Sequence, residues 1–228
     1  MIIDKRIGKM NTNHKMAFDY IKNIISDNPN CRIIDIGAGA NPWAIEYLTD
    51  IIDMFVEPTD MDKFKDTKIN VFNLDIEDSS NWSDIISEVN INGKFDFVIC
   101  SHTLEDLNNP EIVCKFINKI GKSGFISMPS KYAELVVFEN KNGIPYTGFH
   151  HHRWIYNIKN NILIGTPKMC FHQFIELNAD REKAMFSEIS FLWENEFEFE
   201  FIRPDQMLDN RKGDNKIFDI TQLDDLNF

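Results

Sequence analysis

The sequence is short of positive charge. Its 228 residues include 24 Lys and Arg against 36 Asp and Glu, which gives a formal net charge of −12 at pH 7. Proteins that bind nucleic acid gain much of their affinity from Lys and Arg that neutralise phosphates, and this chain has no run of basic residues. We therefore expect neither nucleic acid nor an anionic membrane as a partner.

Long apolar runs and paired cysteines are absent as well. No segment reaches the ~20 apolar residues that a transmembrane helix needs, and the amino terminus lacks the apolar stretch of a signal peptide. The four cysteines lie far apart, with no Cys-x-x-Cys pair that would indicate a zinc ribbon or a redox site. These absences predict a cytoplasmic protein in a reducing environment.

What the sequence does contain is an alternation of strand and helix patterns. Apolar residues at helical spacing predict helices over residues 13–26, 82–89 and 110–120. Short apolar segments predict strands at 31–36, 45–49, 69–74, 95–100 and 125–128. Such alternation is typical of a mostly parallel sheet covered by helices. We predict an α/β fold with a doubly wound, Rossmann-like sheet.

The pattern changes after residue 130. Strands are predicted at 152–158, 161–165 and 196–202, the last from strict alternation of Glu and Phe, and a helix is predicted at 180–192. Residues 203–228 are acidic with little periodicity, which predicts a partly disordered tail. We expect one domain over residues 1–228, with a core at 31–130, an extension at 131–202 and the acidic tail at 203–228.

The loop after the first predicted core strand carries the strongest chemical signal. It runs Asp35-Ile36-Gly37-Ala38-Gly39-Ala40-Asn41-Pro42, and its small residues allow the backbone to approach a ligand closely. A dinucleotide-binding loop requires a third glycine where this chain has Pro42. The departure disfavours NAD, although a nucleotide- or NAD-dependent enzyme on the same fold is kept as an alternative.

Polar residues also follow the carboxyl ends of the other predicted strands. A parallel sheet brings these ends together at one edge. They are Asp50 or Asp53 after the second strand, Asp75 with Ile76 after the third, and Ser101 with His102 after the fourth. Asp50 follows Asp35 more closely than the ~20 residues typical of dinucleotide sites. Either the first loop lacks a full helix, or Asp53 takes the place of Asp50.

Three segments resemble class I S-adenosylmethionine (SAM) dependent methyltransferases, in particular the type 11 group. The Asp-x-Gly-x-Gly loop at 35–39 resembles their motif I. Residues 95–107 (FDFVICSHTLEDL) resemble their Phe-Asp-x-Val segment that ends in Leu-Glu-His, with Asp106 in place of the usual His, and residues 121–126 match the turn into their fifth strand. The resemblance implies the class I methyltransferase fold, with SAM as the cofactor of residues 31–130 and the substrate beside 131–202.

The resemblance also implies roles for individual residues. The glycine loop would hold the amino-acid end of SAM, an acidic residue after the second strand would bind the ribose hydroxyls, and Asp75 with Ile76 would contact the adenine ring. The implied cofactor-binding residues are Asp35, Gly37, Ala38, Gly39, Asn41, Asp50, Asp53, Asp75, Ile76 and Ser101.

The segment His151-His152-Arg153-Trp154, together with Asn41-Pro42-Trp43, resembles a subgroup found among sugar- and glycan-modifying enzymes. Methyl transfer to a hydroxyl or amine needs a base whose pKa lies near neutrality. The candidates are His102, His151 and His152, with His102 and His152 ranked equally, and Arg153 would anchor an anionic group of the acceptor. The alternative is a structural role for Trp154 and one histidine.

Adjacent histidines also suit a metal ion, but a transition metal needs further ligands, and the candidates His102 and Asp106 are remote in sequence. We therefore predict no metal. The expected function is SAM-dependent methylation of a small-molecule or carbohydrate-like acceptor (a sugar or sugar nucleotide). A non-catalytic binding module on the same fold is the second hypothesis, and no oligomeric state is predicted.

Overall fold

The computed structural model describes residues 1–54, 68–170 and 184–203, together with Phe64 and His172. The side chains of residues 138–141 are outside the description. The acidic tail predicted for 203–228 lies outside the described residues except for Arg203, and so does the start of the helix predicted at 180–192.

Strands alternate with helices through residue 129. In chain order the elements are β1 (Ile2–Lys9), α1 (Met10–Asp27), β2 (Ile33–Ile36), β3 (Asp50–Ile52), β4 (Asn70–Phe72), α2 (Ser83–Asn92), β5 (Phe97–Ser101), α3 (Pro110–Ile120) and β6 (Ser123–Pro129). The third helix begins at Pro110 because a fixed φ and a missing N–H suit the first turn.

The remainder of the described chain is mainly strand. It comprises α4 (Lys131–Glu134), β7 (Val137–Lys141), β8 (Ile144–Thr147), β9 (Trp154–Lys159), β10 (Ile162–Pro167), β11 (Ser187–Glu194) and β12 (Glu198–Phe201). The strands predicted near 152–158, 161–165 and 196–202 are therefore confirmed as β9, β10 and β12.

Seven strands form the central sheet in the order β1-β11-β6-β5-β2-β3-β4. The strands β2 to β6 are mutually parallel, whereas β11 runs antiparallel to both β6 and β1. Successive strands extend to one side from β2 and to the other from β5, so a topological switch point lies between these two strands. The predicted doubly wound, Rossmann-like and mostly parallel sheet is confirmed.

Helices cover both faces of this sheet. The first helix packs against Ile33, Phe97 and Phe125, while α2 and α3 pack against the opposite face beside Ile34 and Val98. All four residues of β2 are buried, as expected for a parallel strand that is covered on both faces. A smaller sheet, β12-β10-β9, packs onto the face that carries α3. No helix in the described part of the chain has the length and apolar character needed to span a bilayer.

Two secondary-structure predictions were wrong. Residues Ile45–Tyr47 form a 3-10 turn, not a strand, because Ala44 and Leu48, four residues apart, both point into the core. Residues Ser187–Glu194 form a strand where a helix was predicted. This strand lies inside the sheet between β1 and β6, and a strand buried on both faces shows no alternation that would distinguish it from a buried helix.

Candidate functional site

The glycine loop is tied to the carboxyl end of β3. The N–H of Gly37 donates to the carbonyl oxygen of Ile52 at 2.8 Å, and the N–H of Gly39 donates to Oδ2 of Asp53 at 2.7 Å. Both glycines have positive φ, 72° and 60°, which side chains with a Cβ rarely adopt. The loop is thereby held at the edge of the sheet where β2 and β3 end.

Gly37 also allows the loop after β5 to approach. A Cβ at this position would lie 2.3 Å from Oγ1 of Thr103, a distance that no pair of packed atoms tolerates. The Thr103 hydroxyl donates to the carbonyl oxygens of Ile36 and Ser101 at 3.3 and 3.1 Å. Gly37 therefore allows the two loops to pack closely, because a side chain at this position would collide with Thr103.

Asp53, and not Asp50, lies beside the glycine loop. Asp50 is the first residue of β3 and pairs in register with Ile34, at the opposite end of the strand. Its buried carboxylate accepts hydrogen bonds from Thr49 Oγ1 at 2.6 Å and from Asn70 Nδ2 at 3.1 Å. The first loop contains a 3-10 turn in place of a helix, which explains why the acidic residue at the strand end comes so soon after Asp35.

Asp35 and Ser101 lie behind the loop. Burial raises the pKa of Asp35 well above its usual range, and the charge of Asp53 raises it further. Ser101 exchanges a hydrogen bond with Ser127 of β6 at 2.7 Å. Both side chains are in positions that support the ligand-binding edge from inside the sheet.

A cavity of about 490 Å³, here called the strand-end cavity, opens at this edge. Six of the predicted site residues are among its lining, namely Gly37, Asp53, Asp75, Ile76, His102 and Arg153. The other predicted cofactor residues Asp35, Ala38, Gly39, Asn41, Asp50 and Ser101 are not among the described residues that line it. The sheet thus brings together the ends of β2, β3, β4 and β5, as the sequence predicted.

The charge in the strand-end cavity is mainly negative. Carboxylates of Asp53, Asp75, Glu77 and Asp106 line it, together with two basic residues, His102 and Arg153. The guanidinium of Arg153 donates to Oδ1 of Asn108 at 2.7 Å. The Asn108 amide and the N–H of Asn109 in turn donate to Glu77, at 3.1 and 2.6 Å. This network joins three separate loops around the cavity.

His102 has both ring nitrogens engaged by carboxylates. Its Nε2 lies 2.8 Å from Oε2 of Glu188, and its Nδ1 lies 3.4 Å from Oε1 of Glu105. Burial alone would lower the pKa of His102, but hydrogen bonds and charges from Glu105 and Glu188 together outweigh it and raise this pKa to about 10. The side chain predicted as a general base is therefore an imidazolium at neutral pH, a poor proton acceptor.

A second cavity of about 620 Å³, here called the histidine cavity, adjoins the first. His102 and Asp106 line both cavities. The remaining lining residues include both polar and apolar side chains, namely Lys9, Met10, Asn11, Glu105, Pro129, Phe149, His151, His152, Met185, Phe186, Ser187 and Glu188. Two ligands bound side by side would meet at His102 and Asp106.

His152 is held by a buried ion-pair network. Its Nδ1 lies 2.5 Å from Oε1 of Glu134, whose Oε2 accepts a hydrogen bond from Nζ of Lys168 at 2.7 Å. All three side chains are buried, with 7%, 1% and 4% of their surface exposed. The neighbouring His151 is half-exposed, and its Nε2 lies 4.0 Å from Oδ1 of Asp106.

Sequence analysis missed Glu77, Glu105, Glu134 and Glu188 as site residues. The wrong helix prediction at 180–192 concealed Glu188, because only in strand β11 does that residue face the loop after β5. Glu134 lies in the one-turn helix α4 and meets His152 only through the tertiary fold. The resemblance at Leu104-Glu105-Asp106 was the signal that could have singled out Glu105.

No family model matches the chain. The chain matches none of the curated proteins either. It is similar to the plantazolicin methyltransferase BpumL, solved with a desmethyl-plantazolicin analogue and S-adenosylhomocysteine (SAH), at 18% identity and a TM-score of 0.38. That similarity covers 53% of this chain, which spans 48% of the methyltransferase, about half of its length.

Two other similar structures cover more of the chain. The N-terminal domain of EvdMO1, solved in the presence of SAH and D-fucose, is 13% identical over 77% of this chain and 81% of that one, with a TM-score of 0.40. The methyltransferase domain of bacterial CtHen1-CN is 13% identical over 79% and 99%, with a TM-score of 0.42. The strand order and directions of this chain are those of a doubly wound, Rossmann-like and mostly parallel sheet.

Proposed function

We propose that this protein is a SAM-dependent methyltransferase that acts on a small, carbohydrate-like acceptor. The observation that carries the proposal is the pair of adjoining cavities at the carboxyl ends of the parallel strands, which share His102 and Asp106. Open α/β sheets bind ligands at this edge. Two cavities that meet at one point suit the transfer of a group from one ligand to the other.

The charge of the strand-end cavity supports SAM over a phosphate-bearing cofactor. SAM carries a cationic sulfonium and ribose hydroxyls, and carboxylates such as Asp53 and Asp75 stabilise both kinds of group. NAD and ATP need N–H groups at a helix N-terminus for their phosphates, and here a 3-10 turn follows the loop. The N–H groups of Gly37 and Gly39 already bond to protein oxygens.

The predicted residues divide between the two ligands accordingly. Asp53 would bind the ribose hydroxyls, Asp75 and Ile76 would contact the adenine, and the backbone near Gly37 would border the amino-acid end. Asp50 has no part in this assignment, since it lies at the far end of β3. When bound, SAM supplies an activated methyl group that needs mainly an aligned nucleophile.

On the acceptor side, the proton must leave through residues other than His102. Both nitrogens of that ring are paired with carboxylates. His151 and His152 line the histidine cavity, and each has its Nε2 about 4 Å from Oδ1 of Asp106, at 4.0 and 3.9 Å. We assign the activation of the acceptor to this group of three side chains. Arg153 faces the strand-end cavity and Asn108 instead, so an anchoring role on the acceptor is not assigned to it.

The lining of the histidine cavity favours an uncharged, hydroxyl-bearing acceptor. Phe149 and Phe186 offer flat apolar faces, while Glu105 and Glu188 are hydrogen-bond acceptors. The cations in this lining are Lys9 and the imidazolium of His102. Because His102 is already paired with Glu105 and Glu188, Lys9 alone is a weak site for the diphosphate of a sugar nucleotide. A neutral sugar or polyol therefore fits this lining better than a sugar nucleotide.

Calorimetry with SAM, SAH, NAD and ATP tests the cofactor assignment. We expect SAM and SAH to bind, and Asp53→Asn to weaken both by tenfold or more through loss of a charged hydrogen-bond acceptor. The matched control is Asp19→Asn, on the exposed side of α1, which should bind as the unaltered protein does. Binding of NAD or ATP without SAM or SAH would overturn the proposal.

The transfer step needs its own measurement. Mass spectrometry of sugars and polyols incubated with protein and labelled SAM should detect a product heavier by one methyl group. Tight binding of SAM with no product from any neutral or charged acceptor would favour the non-catalytic binding module instead.

A further inference from the structure

Two imidazoles and one carboxylate converge at the mouth of the histidine cavity. Asp106 follows β5, and His151 and His152 precede β9, yet one ligand atom from each lies within 4.8 Å of the other two. Sequence analysis had predicted no metal because Asp106 is remote from the histidines along the chain. The fold brings Asp106 next to the two histidines, so their separation along the chain does not exclude a shared ion. We propose that Asp106, His151 and His152 bind a divalent transition-metal ion.

The orientation of His152 is the first argument for this site. A carboxylate can only accept a hydrogen bond, so the 2.5 Å contact with Glu134 places the proton of the neutral ring on Nδ1 and leaves the lone pair on Nε2. Metal-binding histidines are commonly fixed in this way by a carboxylate behind the ring. Here Lys168 holds Glu134 from its other oxygen, so the ring cannot easily turn away.

The second argument is the position of Nε2. It lies 3.9 Å from Oδ1 of Asp106, which is itself 4.0 Å from Nε2 of His151. Two ligands of one ion at bond lengths near 2.1 Å are about 3 Å apart. The half-exposed Asp106 and His151 side chains can move the remaining ~1 Å, whereas the buried His152 supplies the fixed point.

The donor set indicates the kind of ion. Imidazole nitrogens suit zinc, iron and related ions, and one carboxylate with two histidines leaves coordination positions open. All three side chains line the histidine cavity, so an ion bound to them would lie at its border. An ion held here is therefore accessible to an acceptor molecule.

The role of the ion in catalysis rests on the proposed methyl transfer. A hydroxyl of the acceptor that coordinates the ion loses its proton more readily, the proton passes to solvent, and the resulting oxygen forms the new bond to carbon as the bond from carbon to sulfur breaks. The histidines then act as ligands and not as bases. An acceptor with two adjacent oxygen atoms, such as a vicinal diol, would occupy two open positions and is the preferred substrate class.

The test measures metal binding in the full-length protein, stripped with chelator, without SAM or acceptor. Titration with Co²⁺, followed by visible absorption, and calorimetry with Zn²⁺ and Mn²⁺ should show one ion per chain. Asp106→Asn and His152→Gln should each weaken binding at least tenfold, and Glu134→Gln should weaken it about tenfold or more through loss of the orienting hydrogen bond. His150→Gln, which removes an exposed imidazole from the same segment, should leave binding unchanged.

Two results would overturn the metal site. One is that none of the three ions binds. The other is that His150→Gln weakens binding as much as His152→Gln, because a loose, nonspecific histidine cluster would behave in that way. Melting curves identify variants that fail to fold, and the half-exposed Asp106 makes Asp106→Asn the variant least prone to this. The affinity for SAM is measured separately on the stripped protein. That measurement tests the proposed function independently of the result for the metal site.

Discussion

Nε2 of His102 lies 2.8 Å from Oε2 of Glu188, which joins the loop after β5 to the antiparallel strand β11. The histidine adopts a positive φ of 51°, an unusual conformation for a residue with a side chain. The ion pair therefore fixes both the ring and a strained backbone at the boundary of the two cavities. Its geometry leads to the first prediction.

We expect the ring of His102 to stay protonated far above the usual pH. Its pKa in the folded protein is about 10, against 6.5 in the unfolded chain. Because the folded value is the higher one, the contribution to stability is fully present below pH 6.5 and is lost as the pH rises towards 10. Histidine NMR signals followed from pH 5 to 10 check this, and a midpoint near 6.5 for His102 would contradict it.

His102→Gln provides the matching stability experiment. The free energy of unfolding should fall more at pH 6 than at pH 9.5, because only the charged ring gains from Glu105 and Glu188. Denaturant unfolding at the two pH values measures the difference. An equal loss at both would indicate that the ring acts through packing alone.

Gly37→Ala should destabilise the protein by about 2–4 kcal/mol, from a steric clash together with an unfavourable φ. The new Cβ would meet Thr103 Oγ1 at 2.3 Å. Gly39→Ala is the matched control, since its φ is also positive but no described atom lies within 4 Å of the new Cβ. It should cost about 1 kcal/mol. Chemical denaturation that ranks Gly39→Ala as the more harmful change would refute the packing role of Gly37.

Asp50→Ala should lower stability by about 1–3 kcal/mol, because the amide of Asn70 loses its buried acceptor. The affinity of the folded protein for SAM should stay within about twofold, since Asp50 lies at the far end of β3. Unfolding curves and calorimetry measure the two quantities. A large loss of SAM affinity with unchanged stability would restore Asp50 to the binding site.

Lys168→Met should destabilise the protein by about 3–5 kcal/mol, because Glu134 would be left as a buried charge without its cation. Adding Glu134→Gln to this variant removes the stranded charge and should recover part of the loss. Thermal and chemical unfolding of the single and double variants form the test. A double variant less stable than Lys168→Met would show that the bond of Glu134 to His152 outweighs the cost of the stranded charge.

The parallel core could be predicted because its signals are local. β2, β5 and α3 each carry their apolar pattern within a dozen residues, and the glycine loop follows its strand directly. The surroundings of the histidine cavity could not be predicted in the same way. Glu188 and His102 are 86 residues apart in sequence, and Glu134 and His152 are 18 apart, so each pair exists only through the fold.

The edge strand of the sheet, β1, could not be predicted from local sequence patterns either. Strand β1 was not predicted, because its residues are largely exposed and show no regular alternation. Its pairing with β11 could not be inferred from either segment alone. The last residue of β1, Lys9, and the next two, Met10 and Asn11, line the histidine cavity, which no local pattern in the sequence indicated.

The position of β1 has a consequence for biosynthesis. Its hydrogen-bonding partner is β11, so β1 stays unpaired until residue 194 has been made. Pairing between such distant segments forms slowly, and an unpaired strand is open to wrong partners meanwhile. The parallel core can assemble before β11 has been made, while the histidine cavity, whose lining includes Lys9 and Glu188, is completed only afterwards.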